Sequence, residues 1–290
     1  MGAILLEGHL VIKNIEQWCL RKGRRGRIDP VLAVVFFNTD PAAEEYVRIK
    51  AHVAEKAGVG YWVYEISPEA SSGHVQRQIQ ELNENEQVHG ILIQRPLPEH
   101  LNEPKIMASI DPDKHIEEYC EGQPSNIAAD ALGRLLSKHG RSRVLCESAV
   151  HVVGFGNIIT DGFTSHMRHH YPRVSVSPNL PKVTGDAKPG SEHVDRPAML
   201  ITELHRGPGF IKPRMIRPEV RVIIDLGFYS TEQGVIVGDL DHTVFEKDEL
   251  AVAPTPGGVL PVLPWLMMER TIRAKRLLTR KESRFCCICQ

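Results

Sequence analysis

Short, wholly apolar runs alternate with helix-length amphipathic segments along most of this chain. "VLAVVFF" (Val31–Phe37) contains no polar residue. A strand tolerates that only when both of its faces are covered, as in a parallel sheet. The next segment, "TDPAAEEYVRIKAHVAEKAGVG", carries helix punctuation. Asp40 suits the N-cap, Pro41 the first helical position and Gly58 the C-terminal stop. "YWVYEI", "SSGHVQRQIQELNEN" and "VHGILIQ" continue as strand, helix and strand. This rhythm predicts an α/β fold with a doubly wound parallel sheet.

A loop at about residues 120–129 precedes a second series. "DALGRLLSKHG" reads as a helix with Leu132, Leu135 and Leu136 on one face. "AVHVVG", "RVSVS", "AMLIT", "VRVIIDLG" and "GVIVGDL" read as strands, and "TDGFTSHMRHH" as the helix after the first of them. A glycine–proline turn and a long helix close the chain in "PGGVLPVLPWLMMERTIRAKRLL". Two α/β domains with a cleft between them are expected, with ligands beyond the C-terminal ends of the strands.

Composition narrows the classes of partner. The 290 residues suffice for two buried cores, and 42% apolar with 24% charged content is ordinary for a globular chain. Lys and Arg number 35 against 36 Asp and Glu, which argues against a nucleic-acid surface. The basic run Arg21–Arg27 reads as a solvated loop. No apolar run reaches the ~18 residues of a membrane span. The start, "MGAILLEGHL", has neither signal nor transit layout, and Leu6 stands where a myristoylation signal needs Ser or Thr.

Cys19, Cys120 and Cys146 are scattered, while Cys286, Cys287 and Cys289 crowd the tail. This is no disulfide framework, so a cytoplasmic location is expected. The last four residues fit a prenylation pattern in form, and the tail thiols are soft-metal donors. A plain chain end is the preferred reading of both. There is no HExxH, paired CxxC, GxSxG or Walker loop, and His169–His170 reads as a helix end, so no metal is expected.

Certain words occur in a telling order: "YVRIK", "GILIQRPLPEH", "VVGFGN", "GPGFI", "VIIDLG", "VGDLD" and "PTPGGVLP". In sequence and spacing the chain resembles the bifunctional methylenetetrahydrofolate dehydrogenase/methenyltetrahydrofolate cyclohydrolase family over roughly residues 5–278. The resemblance implies a tetrahydrofolate derivative as substrate. The methylene form is oxidised with NADP and the methenyl product is hydrolysed to 10-formyltetrahydrofolate, usually by a homodimer. It also implies an N-terminal folate (catalytic) domain from residues 1–125 plus 258–290, and a Rossmann-like nucleotide domain from residues 126–257.

The family's Tyr-x-x-x-Lys motif falls on Tyr46 and Lys50, neighbours at i,i+4 on a helix. The resemblance makes Lys50 the proton-transfer residue, Tyr46 the ring that packs on the folate, and Gln94 the partner that sets the state of Lys50. The chemistry agrees, because a partly desolvated lysine has its pKa lowered toward neutrality. The plain alternative for Lys50 is a solvated helix lysine. Glu117 stands where the family's pterin-binding Asp is expected, one methylene longer, and Glu118 replaces a glycine. Pro254, Pro256, Gly257 and Gly258 match the family's wall of the folate site.

The nucleotide loop departs further. The family pattern Gly-Arg-Ser-x-x-Val-Gly-x-Pro meets Gly154, Phe155, Gly156, Asn157, Ile158, Ile159, Thr160, Asp161 and Gly162. The arginine for the extra phosphate of NADP has become Phe155, the serine has become Gly156, and Asp161 puts a carboxylate where a pyrophosphate would repel it. "ELHR" (Glu203–Arg206) replaces a small-residue run, and Pro178–Asn179 replaces a His-Ser pair, leaving neither arginine nor acid at that strand end. If a dinucleotide binds, NADP or NAD, residues Gly154 to Ile158 would hold it. Cyclohydrolase chemistry through Lys50 is therefore the expectation ahead of the dehydrogenase. A catalytically silent paralogue that binds folate or a protein partner stays open, as does an enzyme on another small substrate.

Overall fold

The computed structural model describes residues 2–23, 29–38, 41–121, 123–180, 197–231 and 233–288. Asp40, most of the basic run, and the last two residues with Cys289 lie outside them, as do the side chains of Cys286 and Cys287. In chain order, β1 (Ile4–Leu5) and α1 (His9–Gly23) precede β2 (Val31–Phe37), α2 (Pro41–Ala57), β3 (Gly60–Ile66), α3 (Ser72–Glu84) and β4 (Gly90–Ile93). Then come α4 (Glu103–Met107), β5 (Tyr119–Cys120), β6 (Gln123–Pro124), α5 (Ile127–Lys138), α6 (Arg143–Glu147) and β7 (Val150–Gly154). The remainder is α7 (Asp161–His170), β8 (Val174–Ser177), β9 (Met199–Glu203), β10 (Val222–Asp225), β11 (Tyr229–Ser230), β12 (Ile236–Val237), β13 (Ala251–Ala253) and α8 (Val262–Ile288).

The chain forms two compact units. One is Lys13–Ile127 with Pro264–Gln290, here the first unit. The second is Met1–Ile12 with Ala128–Leu263. The boundaries differ from those expected for residues 1–125 plus 258–290. Residues 1–12 fold with the second unit because β1 pairs in parallel with β13, Ile4 opposite Ala251.

In the first unit the sheet order is β3-β2-β4, all parallel. Every residue of β2 is buried, which is why its run carries no polar residue. α3 packs Val75, Ile79 and Leu82 inward at helical spacing, and Ser71 caps its start by accepting from the His74 amide. Its other end is held by Lys114, whose Nζ donates to the carbonyls of Leu82, Asn83 and Asn85 at 3.2, 2.7 and 2.8 Å. Gly90 lets α8 approach β4: a Cβ there would meet Thr271 Oγ1 at 2.8 Å and Ile116 Cγ2 at 2.9 Å.

In the second unit six parallel strands run in the order β1-β13-β10-β9-β7-β8. Counting from β7, this is the doubly wound 2-1-3-4-5 order with β1 added at the far edge. The order reverses between β7 and β9, so the loops leaving these two strands diverge at the switch point. "GVIVGDL" is not a strand of this sheet. Only Ile236–Val237 pairs, antiparallel to β11, and Leu240 bridges Ile211.

Candidate active site

α2, β4 and the segment before β5 bring the sequence-singled residues of the first unit together. Lys50 lies on α2 and is only 6% exposed. Its Nζ donates to Gln94 Oε1 at 2.7 Å and lies 3.5 Å from the Tyr46 carbonyl, one turn earlier. The Tyr46 ring centroid is 5.1 Å from the same Nζ. Gln94 follows β4 and is oriented by its other end, with Nε2 donating to the Arg95 carbonyl at 2.6 Å. Burial pushes the Lys50 pKa down to about 8, and the Glu117 carboxylate pulls it partly back. The amine is therefore neutral in about a tenth of molecules at pH 7, far more than a solvated lysine.

Glu117 is committed to Arg95, a residue that sequence reasoning passed over. Arg95 Nη1 donates to both Glu117 oxygens at 3.0 and 2.9 Å, and its Nε donates to Glu103 Oε1 at 2.7 Å. Burial works against the guanidinium charge, but the two carboxylates outweigh it and hold its pKa above the usual value. The signal lay inside "LIQRPLP", where Arg95 directly follows Gln94. Arg270 of α8 was also missed. Its Nη1 donates to the carbonyls of Ile116 and Ser125 at 3.0 and 2.6 Å, and its Nη2 to Ser125 Oγ at 3.0 Å, pinning the segment that carries Glu117.

Two further groups in that segment are strained by burial. His115 is held neutral, its pKa pushed down to about 4 by desolvation. Glu118, beside Glu117, is raised to about 7, chiefly by burial and then by its charged neighbour.

In the second unit the loop after β7 turns at Gly154, whose φ of 95° favours glycine. Its amides meet the side chain of Glu203 at the end of β9. Asn157 N donates to Glu203 Oε1 at 2.8 Å, Ile158 N to Oε2 at 3.1 Å and Ile159 N to Oε2 at 2.6 Å. Glu203 is 2% exposed. Burial raises its pKa, and the amide donors pull it back toward the charged form. Phe155 is 47% exposed and Asp161 is an exposed residue in the first turn of α7. Thr160 caps that helix by accepting from Phe163 N.

At the end of β8 the fold corrects one expectation. An arginine does reach this place, because Arg206 from the turn after β9 donates to Asn179 Oδ1 at 3.0 Å. Asp225 and Asp239 spend their carboxylates on structure. Asp225 accepts from the amides of Gly227, Asp239 and Leu240, each at 3.0 Å, and Asp239 from Tyr229 Oη at 2.9 Å and Leu204 N at 3.0 Å.

The profile described as tetrahydrofolate dehydrogenase/cyclohydrolase, catalytic domain, matches residues 6–117, and that for the NAD(P)-binding domain of the same proteins matches residues 127–278. The chain belongs to the tetrahydrofolate dehydrogenase/cyclohydrolase family. The bifunctional protein FolD of Aquifex aeolicus is 30% identical over 286 residues, 94% of this chain and 95% of its own length. That of Nautilia profundicola is 28% identical over 257 residues, 86% of this chain and 88% of its own. Among solved structures, the Trypanosoma brucei methylenetetrahydrofolate dehydrogenase-cyclohydrolase, complexed with NADP cofactor and inhibitor, superposes with a TM-score of 0.79 at 23% identity. The match covers 97% of this chain and 99% of that one, and it shows a shared fold.

Within this family fold, Tyr46, Lys50, Gln94 and Glu117 lie in the first unit. Pro254, Pro256, Gly257 and Gly258 lie in the second, in the turn after β13, where the Thr255–Pro256 bond is cis and Gly258 N donates to the Pro254 carbonyl at 2.7 Å. Gly154, Phe155, Gly156, Asn157 and Ile158 form the loop that meets Glu203. No group of three or more metal-type side chains occurs among the described residues, and no described helix is long and apolar enough to cross a membrane.

Proposed function

We propose that this chain hydrolyses a methenyl-type reduced folate, with Lys50 as the proton-transfer residue. The observation that carries this reading is the 2.7 Å bond from buried Lys50 Nζ to Gln94 Oε1, with the amine pKa at about 8. Ring opening needs water to attack the electron-poor bridge carbon. The neutral amine takes a proton as the new C–O bond forms. The protonated amine then returns a proton to the departing ring nitrogen as the C–N bond breaks. One group serves both steps only if its pKa lies near the working pH, which the burial of Lys50 arranges.

Gln94 fixes the direction of the amine, since its own amide is held by the Arg95 carbonyl. Tyr46 supplies the aromatic face beside Nζ for a planar ring. Glu117, paired with Arg95, keeps oxygen lone pairs for donors on a pterin. Pro254, Pro256, Gly257 and Gly258 are carried as substrate contacts on the family pattern. The homodimer usual in the family goes with this reading, and β3, an edge strand with Val63 44% exposed, offers a surface for it.

The test is the hydrolysis of 5,10-methenyltetrahydrofolate by wild type and Lys50→Met, after subtraction of the uncatalysed rate. Wild type turns over, and the variant loses about 10²–10⁴-fold in kcat, the worth of a positioned acid–base. Equal rates would sink the assignment.

A further inference from the structure

The loop after β7 lies at the switch point of its sheet, where this topology aims backbone amides at a ligand phosphate. In this chain those amides already hold the Glu203 side chain. We propose that the Glu203 carboxylate is a built-in substitute for a dinucleotide phosphate, and that it closes the loop to NADP and NAD.

The geometry is that of a filled anion nest. Three successive amides, those of Asn157, Ile158 and Ile159, reach the two Glu203 oxygens at 2.8, 3.1 and 2.6 Å. Each amide has one proton, so a pyrophosphate could use them only by displacing the carboxylate. That carboxylate is tethered to β9, so it competes as an intramolecular group. Once displaced it would be a second negative charge beside the phosphates, together with Asp161.

The neighbouring residues are matched to Glu203. A Cβ on Gly156 would lie 2.3 Å from Glu203 Oε1 and 2.3 Å from His205 Nε2. The serine of the family pattern at this place would therefore require the Glu203 and His205 side chains to move. The turn after β9 is shaped accordingly: His205 adopts a left-handed φ of 51°, Gly207 follows at 100°, and Leu204 N is held by Asp239. The family's dinucleotide therefore does not fit the residues present. Hydrolysis at Lys50 needs none, and this inference does not rest on that reading.

Calorimetric titration of the full chain with NADP and with NAD tests the closure. The expected result is no saturable binding up to millimolar concentration. Saturable micromolar binding of either would overturn the proposal. Thermal melting with inorganic pyrophosphate, on wild type, Glu203→Ala and the double variant Glu203→Ala/Gly156→Ser, tests the cause. Both variants should melt lower than wild type and gain a pyrophosphate-dependent rise in Tm that wild type lacks. An equal rise in all three proteins contradicts a carboxylate plug. Should the variants fail to fold, amide exchange in wild type decides: residues 157–159 stay protected at a rate indifferent to pyrophosphate, and slowing by pyrophosphate refutes the proposal.

Discussion

The Lys50 cluster and the loop after β7 both bury an ionisable group that desolvation pushes toward neutrality, and they differ in the partners each group is given. At Lys50, desolvation is left partly uncompensated. Two neutral acceptors, Gln94 Oε1 and the more distant Tyr46 carbonyl, face the amine, the Glu117 carboxylate is bound to Arg95, and the pKa falls to about 8. At the loop, the buried carboxyl group of Glu203 takes three successive backbone amides. A group held away from its preferred charge state can do acid–base work. A group whose partners are all spent on each other holds a fold together. The same family fold thus carries one poised site and one sealed one.

That contrast can be broken from the Lys50 side. Arg95→Leu removes the cation shared by Glu117 and Glu103, leaving buried carboxylate charge unpaired. The expected loss is about 3–5 kcal/mol of unfolding free energy, read from urea midpoints, against the ~0–1 kcal/mol of an exposed ion pair. A loss below about 1 kcal/mol would mean that Glu117 is not held by Arg95 in solution. Gln94→Leu removes the acceptor that orients Lys50. It should lower kcat for hydrolysis about tenfold, equivalent to about 1.4 kcal/mol, with little change in melting temperature. An unchanged rate would separate Gln94 from the chemistry.

The smallest effect belongs to Glu118. Its folded pKa is raised to about 7 from 4.5, so the folded state binds more protons than the unfolded state across that window. Stability contributed by this group falls as pH climbs through it. Glu118→Gln should flatten that slope and stabilise the protein by on the order of 1 kcal/mol above pH 7, after allowance for solvent around a half-buried group. Parallel slopes in wild type and variant would show that Glu118 ionises freely.

The sequence exposed what depended on local pattern. The apolar run of β2, the helix α3 and the glycine turn at Gly154 each carry their cause within a few residues. Tyr46 and Lys50 were legible for the same reason, being one helical turn apart. Features made by distant residues were not. β1 joins the second unit only because β13, about 250 residues later, offers it a parallel edge. The pairing of Arg95 with Glu117 spans 22 positions and leaves no local mark in the sequence. The replacement of a small-residue run by "ELHR" was visible, but nothing in the sequence says that Glu203 folds back into a loop 46 positions earlier. Arg206 likewise reaches the end of β8 from a turn that the sequence reading treated separately.

The most direct test of the central claim is the pH dependence of methenyltetrahydrofolate hydrolysis, corrected for the uncatalysed reaction. If the neutral amine of Lys50 starts the reaction, the rate rises about tenfold per pH unit well below 8 and levels off above it. The same amine should add stability as pH climbs from about 8 toward 10.5, because its folded pKa lies below its unfolded one. In Lys50→Met the inflection should vanish and the rate should fall about 10²–10⁴-fold. A wild-type profile flat from pH 6 to pH 9, or one that Lys50→Met reproduces, would contradict the account.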